Sequence, residues 1–518
     1  MISRSLSKIS LALAFVSLIL SSPGNISQGA APGCEYWVAP PPKGDDSNPG
    51  TIGAPWASLK HASDSIPDNQ CTVWFEDGEY TGGNRLNRRF SSLTTFKSIN
   101  PYRAVLKNES TVVAISGGTN ITLEGFVFSH SGPGASSQVV AVDQSKEGWA
   151  EYITLRNNIF HDSFNDDLLK IYSGARFVTV ENNIFYNQGS KEEHMDVNSV
   201  TDVTIQDNIF FNDFAGSGRS DPGNTKAFIT VKDSNENDDG LLGSERVDIR
   251  RNIFLNWQGG EEPFLQIGND GKPYHEAKFV RIENNLMIGN SHKLVNALLD
   301  VSGAKDVIFA NNTVVGDLPS KAYAFRLDQK GLNPQNENIF FYNNVWSDPT
   351  GTMGADLSGK PNEFSDGDPE EVSNLILDNN LYGNGPLVIP PGDLASPTRD
   401  DAHRIVANPL LNTHQENMVL PRWTGSAFLS GNLTIRQEFE RLVDLYGKIP
   451  PYSPAVDRAD PAFAPPDDIL GRARSAEPDL GAYEARQPFF DPDAFPLSTL
   501  FISPAETLDR ILQYLTGD

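Results

Sequence analysis

The stretch Val178–Asn187, "VTVENNIFYN", decides how this chain folds. Val178 and Val180 alternate with Thr179 and Glu181, the period of two expected of a strand with one buried face. Asn182 and Asn183 then stop it, because Asn tolerates the left-handed backbone that a sharp corner needs. The aromatic that follows, Phe185, returns to the interior. The phrase recurs as "ITLEGFVFSH" from Ile121, "ITLRNNIFHD" from Ile153, "VTIQDNIFFN" from Val203 and "VDIRRNIFLN" from Val247. It continues as "VRIENNLMIG" from Val280, "VIFANNTVVG" from Val307, "IFFYNNVWSD" from Ile339 and "LILDNNLYGN" from Leu375. The shortest step, Ile153 to Val178 and again to Val203, is 25 residues. That is one coil of a β-solenoid, and longer steps are the same coil carrying an inserted loop. Phe128, Phe160, Phe185, Phe210 and Phe254 are then expected to stack in one internal row, extended by Met287, Val314, Trp346 and Tyr382. The Asn positions should form a hydrogen-bonded ladder.

Each coil carries another strand upstream. Aligning these strands gives the inward pairs Val140/Val142, Leu169/Ile171, Met195/Val197, Ile229/Val231, Leu265/Ile267, Leu299/Val301 and Phe325/Leu327. The residues between them, Ala141, Lys170, Asp196, Thr230, Gln266, Asp300 and Arg326, should face solvent. Coils stack about 4.8 Å apart, so Lys170, Tyr172, His194, Asp196, Asn198 and Lys232 should share one outward patch. Asp166/Asp167 and Glu192/Glu193 fall at equivalent corners just before two of these strands. The insertions "AGSGRSDPGNTK" and "KDSNENDDGLLGSER" should rise beside the patch as walls of a cleft. The bland alternative is a solvated acidic face with no chemistry.

Across its 518 residues the chain has 41 Lys and Arg against 67 Asp and Glu, a net charge of −26. That balance argues against nucleic acid as a partner. It also repels a polyanion unless cations or a metal line the site. Arg4 and Lys8 precede the apolar run "ISLALAFVSLIL" and the small-residue exit "SSPGNISQGAA". This reads as a signal peptide over residues 1–30, so a secreted protein, extracellular or periplasmic, is expected, with no membrane span. Cys34 and Cys71 could pair in an oxidising compartment or remain two buried thiols. The expected division is a cap and first coils over 31–115, coils over 116–390, and a Pro-rich extension over 391–518. The extension should hold a helix at Thr434–Gly447 and another at Ser503–Leu515.

The repeats resemble those of the right-handed parallel β-helix proteins of the pectate-lyase-like superfamily. "YWVAPPPKGDDSNPGTIGAPWASLKHASDSI" (Tyr36–Ile66) resembles their opening strand and capping helix. "SPAVDRADPAF…EPDLGAYE" (Ser453–Glu484) resembles their closing motif. The resemblance implies an all-β, right-handed parallel β-helix that acts on, or binds, an extended polysaccharide, here expected as a monomer. It departs from characterised subfamilies. The alginate lyase and chondroitinase B family carries a Lys and an Arg where this chain has Tyr172 and Asn198, and the polygalacturonase and common pectate lyase signatures are absent.

An acidic-sugar lyase needs a cation for the uronate carboxylate, a base for the C5 proton and an acid for the leaving oxygen. Clustered carboxylates suit Ca2+, so Asp166, Asp167, Glu192, Glu193 and Asp196 are the expected metal ligands. Lys170 or His194 is the expected base. Lys170 suits that role only with metal bound, since carboxylate neighbours alone raise its pKa. Tyr172 joins them as a catalytic candidate, and Asn198, Lys232, Arg219 and Lys226 are the expected substrate contacts. Asp300, three coils away in the same row, is expected to matter little. The competing readings are a glycoside hydrolase and a non-catalytic glycan-binding or surface solenoid.

Overall fold

The computed structural model describes residues 34–485, apart from 291–292, 294, 317–321, 351–362, 386–388 and 390. The expected signal peptide and the helix expected at Ser503–Leu515 lie outside the described residues. The chain winds into three parallel sheets of 12, 10 and 12 strands, in which each strand pairs with its counterparts in the coils before and after. One coil illustrates the unit: Leu169–Tyr172 in the ten-stranded sheet, then Arg176–Glu181, then Ile184–Tyr186 in the two larger ones. This is the right-handed parallel β-helix that the repeats imply.

The corner Asn pair divides its labour. The first residue takes the left-handed backbone, with φ of 56° at Asn157, 53° at Asn182 and 58° at Asp207. The second is buried and builds the ladder. The Asn183 side-chain amide donates to the Leu155 carbonyl at 2.8 Å, and its Oδ1 accepts from the Asn158 backbone N–H at 2.8 Å. The same bonds repeat through Asn208, Asn252, Asn285, Asn312 and Asn344. They satisfy backbone groups that a strand break would otherwise bury unpaired. The aromatic row forms in the expected register, with ring centroids 4.6 Å apart for Phe160–Phe185 and 4.9 Å for Phe185–Phe210.

At the N-terminal end the helix Leu59–Ser65 starts at Ser58, whose hydroxyl accepts the His61 N–H. Cys34 and Cys71 are joined as a disulfide. At the other end of the sequence, the helix Ile435–Leu442 opens with a Thr434/Gln437 capping box. Its apolar residues Ile435, Phe439 and Leu442 join Phe428, Tyr446, Ile469 and others of the extension in one buried cluster with Ile159, Ile184, Ile209, Ile253 and Leu286 of the coils, so the extension lies along a flank. Polar ties accompany it: Arg422 to Asp213 at 2.7 Å, Arg251 to Asp467 at 2.5 Å, Asn343 Nδ2 to the Asp460 carbonyl at 3.0 Å, and Arg103 to the Gly425 carbonyl.

Candidate functional site

The ten-stranded sheet carries the outward row in the expected register: Ala141 beside Lys170, then Asp196, Thr230, Gln266, Asp300 and Arg326. The expectation that this row lies open to solvent is corrected. Asp196, Thr230, Gln266 and Asp300 are only 2%, 1%, 5% and 5% exposed. Neighbouring side chains lie across them. Lys170 covers Asp196, its Nζ 2.8 Å from Oδ2, and Glu193 reaches over to accept from Thr230 Oγ1 at 3.1 Å.

Lys170 sits 3.5 Å from Asp167 as well. Burial alone would push its ammonium down, but Asp196 and Asp167 override that and hold it above the usual lysine range. Oxygen atoms of Asp166, Asp167 and Glu192 lie within 4.8 Å of one another. Burial, then the charges of Glu193 and Asp196, lift the Asp167 carboxyl well above the usual range. Burial, then Asp166 and Glu193, push Glu192 up to about 7. Glu193 is raised by burial and by Asp196. The buried Oδ1 of Asp196 has no hydrogen-bond partner. The crowded carboxylate oxygens of Asp166, Asp167 and Glu192 fit a divalent cation such as Ca2+. Asp166, Asp167 and Glu192 are the residues placed to hold it.

Tyr172 lies beside this cluster. Its hydroxyl donates to Asp143 at 3.1 Å, and its ring centroid is 5.9 Å from Lys170 Nζ. Burial and then Asp143 push the phenol up to about 12, so it keeps its proton. Lys232 is 3.7 Å from Asp270. Burial lowers its pKa, but Asp196, Glu193 and Asp270 raise it more strongly. Lys226 is exposed, and its backbone N–H donates to the Glu192 carbonyl at 3.1 Å, fixing the corner beside the cluster.

Three sequence-derived placements are corrected. His194 points inward: its ring is fully buried, 4.9 Å from Phe228, and Nε2 is 3.0 Å from the Phe211 carbonyl. Burial pushes its pKa down to about 3. It cannot reach a polymer on the surface. The reason is local, since the chain turns just before Met195–Asn198 and the alternation of faces does not extend back through the turn. Its companions Leu168, Phe228, Phe264 and Leu298 are all buried and apolar, and that was the available signal. Asn198 is not free for substrate, because its amide donates to Ser234 Oγ at 2.6 Å and accepts the Ser234 N–H at 3.0 Å, clamping the second insertion. Arg219 is consumed in tying the first insertion to the preceding coils. It pairs with Asp162 at 3.1 Å, donates to the Ser163 and Asn187 carbonyls at 2.7 and 2.9 Å, and lies over Phe164.

Two polar groups were missed. Asp143 stood in the aligned outward positions and could have been found. Asp270 follows Gly268 after a turn and gave no sequence signal. Asp300 lies in the same outward row as Asp196, three coils along. It is buried, its Oδ1 lacks a partner, and burial pushes it up to about 7 despite Arg326 3.8 Å away.

No protein-family model and no curated protein matches the chain. Among solved structures it is similar to the pectate lyase Pel9A, with 17% identity, 88% of this chain and 98% of that chain covered, and a TM-score of 0.52. It is also similar to XylC in complex with xylose, with 11% identity, 88% and 98% covered, and a TM-score of 0.48. An alginate lyase from Paenibacillus sp. str. FPU-7 shares 12% identity over 67% of this chain and 96% of that one, with a TM-score of 0.39. The likeness to Pel9A and the three parallel sheets agree on a pectate-lyase-like parallel β-helix fold. No helix among the described residues is long and apolar enough to cross a membrane.

Proposed function

We propose that this protein is an exported polysaccharide lyase that cleaves a uronate-containing glycan by cation-assisted β-elimination. The observation that carries the reading is Lys170, an amine 2.8 Å from Asp196 and directly beside the Asp166/Asp167/Glu192 cluster. When bound there, Ca2+ would supply neutralisation of the uronate carboxylate, which acidifies the C5 proton. Asp166, Asp167 and Glu192 would hold it, with Glu193 and Asp196 completing the acidic surround. For Lys170 to serve as the base, its ammonium proton must first pass to solvent, which would require a bound cation to offset the charge of both Asp196 and Asp167. Its neutral amine then takes the C5 proton, the electron pair becomes the C4–C5 double bond, and the C4–O bond breaks. Tyr172, oriented by Asp143, donates its hydroxyl proton to the leaving oxygen. Lys232 and Lys226 offset the polymer's charge along the row.

The test is incubation of the protein with polygalacturonate, alginate and chondroitin, with calcium or with chelator, following the absorbance of unsaturated ends. Cleavage should require calcium, and Lys170→Ala should lower the rate by roughly 10²–10⁴-fold. New reducing ends without that absorbance would replace the lyase reading with a hydrolase. Binding without cleavage would replace it with a glycan-binding solenoid.

A further inference from the structure

The third sheet presents a second site, far along the coils from the acidic cluster. Two residues after the inward aromatic, several coils place an Asn: Asn187, Asn212, Asn256 and Asn384. In the first three the side-chain amide is occupied. Asn187 donates to Asp162 Oδ1 at 2.9 Å, Asn212 to Gln188 Oε1 at 2.7 Å, and Asn256 to the Asn212 carbonyl at 2.7 Å. Asn384 holds the same position and is 4% exposed, yet neither its Nδ2 nor its Oδ1 has a partner. Leaving a buried amide unpaired on both atoms is unfavourable. In front of it stands a cavity of about 520 Å³, roomy enough for a small organic ligand.

The chemistry of the walls selects the ligand. None of the described residues lining the cavity is charged, in a chain of net charge −26. Among the described residues an anion would find no cation there, and a cation no carboxylate. What the walls offer is the Asn384 amide with the hydroxyls of Ser347, Thr398 and Thr413, set among the apolar Ile389 and Leu411. An amide that both donates and accepts matches a hydroxyl that does the same, and the apolar side chains suit the C–H face of a sugar ring. We propose that this cavity binds a neutral mono- or disaccharide, with Asn384 as its central contact. The site lies on a different sheet from Lys170 and does not rest on the lyase reading.

Calorimetric titration of the full chain with xylose, xylobiose, glucose, cellobiose, galactose and galacturonate tests it. At least one neutral sugar should bind saturably, with a Kd on the order of 1 mM or below, and galacturonate should not. Asn384→Leu, close in size and without the amide, should weaken that binding at least about tenfold. Val406→Trp, at an exposed position on the cavity rim, should block it without touching Asn384. The proposal is overturned if no neutral sugar binds, if galacturonate binds as well as the neutral sugars, or if both variants bind like the wild type. Glycan cleavage at the acidic cluster is read separately and is unaffected by any of these outcomes.

Discussion

Replacing His194 with Phe separates an interior imidazole from a catalytic one. The folded protein holds this ring neutral down to about pH 3, against an ordinary value of 6.5. Above pH 6.5 the imidazole is neutral in both folded and unfolded chains, and its titration contributes nothing. As the pH falls below 6.5 the unfolded chain takes up a proton that the folded chain refuses. Stability then declines by about 1.36 kcal/mol per pH unit, roughly 4 kcal/mol by pH 3. A phenyl ring cannot titrate, so His194→Phe should escape this decline. At pH 7.5 two effects nearly cancel. The variant loses the bond to the Phe211 carbonyl, about 1 kcal/mol, and sheds the burial of the partnerless Nδ1, about 1–3 kcal/mol. Urea unfolding of both proteins at pH 7.5, 5.5 and 4.5 should show near-equal stability at the first pH. The variant should lead by about 1 kcal/mol at the second and about 3 kcal/mol at the third. A difference that stays constant across this range would mean that His194 titrates normally, and would return it to the surface. Glycan cleavage at pH 7.5 should be unchanged in the variant.

Asn183→Ala should lower stability by about 2–4 kcal/mol, because it strips partners from the Leu155 carbonyl and the Asn158 N–H. Asn182→Ala should lose only about 1–2 kcal/mol, the strain of a left-handed corner without Asn, and thermal melts of the two variants should keep that order. Reduction of Cys34–Cys71, which spans 37 residues, should lower the melting temperature, with an entropic loss of about 4 kcal/mol in the unfolded-chain model. Asn198→Ala should free the Ser234 clamp and open the 233–243 insertion to limited proteolysis, at a site intact in the wild type.

The coil was legible because it is written many times over. Period-two alternation, an Asn pair and an aromatic recur often enough that loop insertions do not hide them, and every aligned inward pair fell in register. The site was only half legible. Residues inside the strands, such as Lys170 and Asp196, obey the alternation and fell on the expected face, although Asp196 is buried there. His194 lies one residue outside its strand, where the backbone turns and alternation carries no information. Asn198 and Arg219 were given the right neighbourhood and the wrong occupation, because their partners Ser234 and Asp162 come from other coils and an insertion. Polarity marks a residue as able to bind, and only the fold shows whether it is already bound.

The extension along the flank changes how the solenoid comes apart. Stacked coils touch only their neighbours, so a bare solenoid can fray from an end and stop anywhere. Here Arg422 grips Asp213, Asp467 grips Arg251 and Asp460 caps Asn343, while Gly425 reaches back to Arg103. One late segment is riveted to early, middle and late coils at once. A coil cannot detach without tearing the strap, and the strap cannot lift without baring Ile159, Ile184, Ile209 and Ile253 together. Local fraying becomes a single large event. During synthesis the coils are made first, and their outer apolar row stays uncovered until residues near 440 emerge.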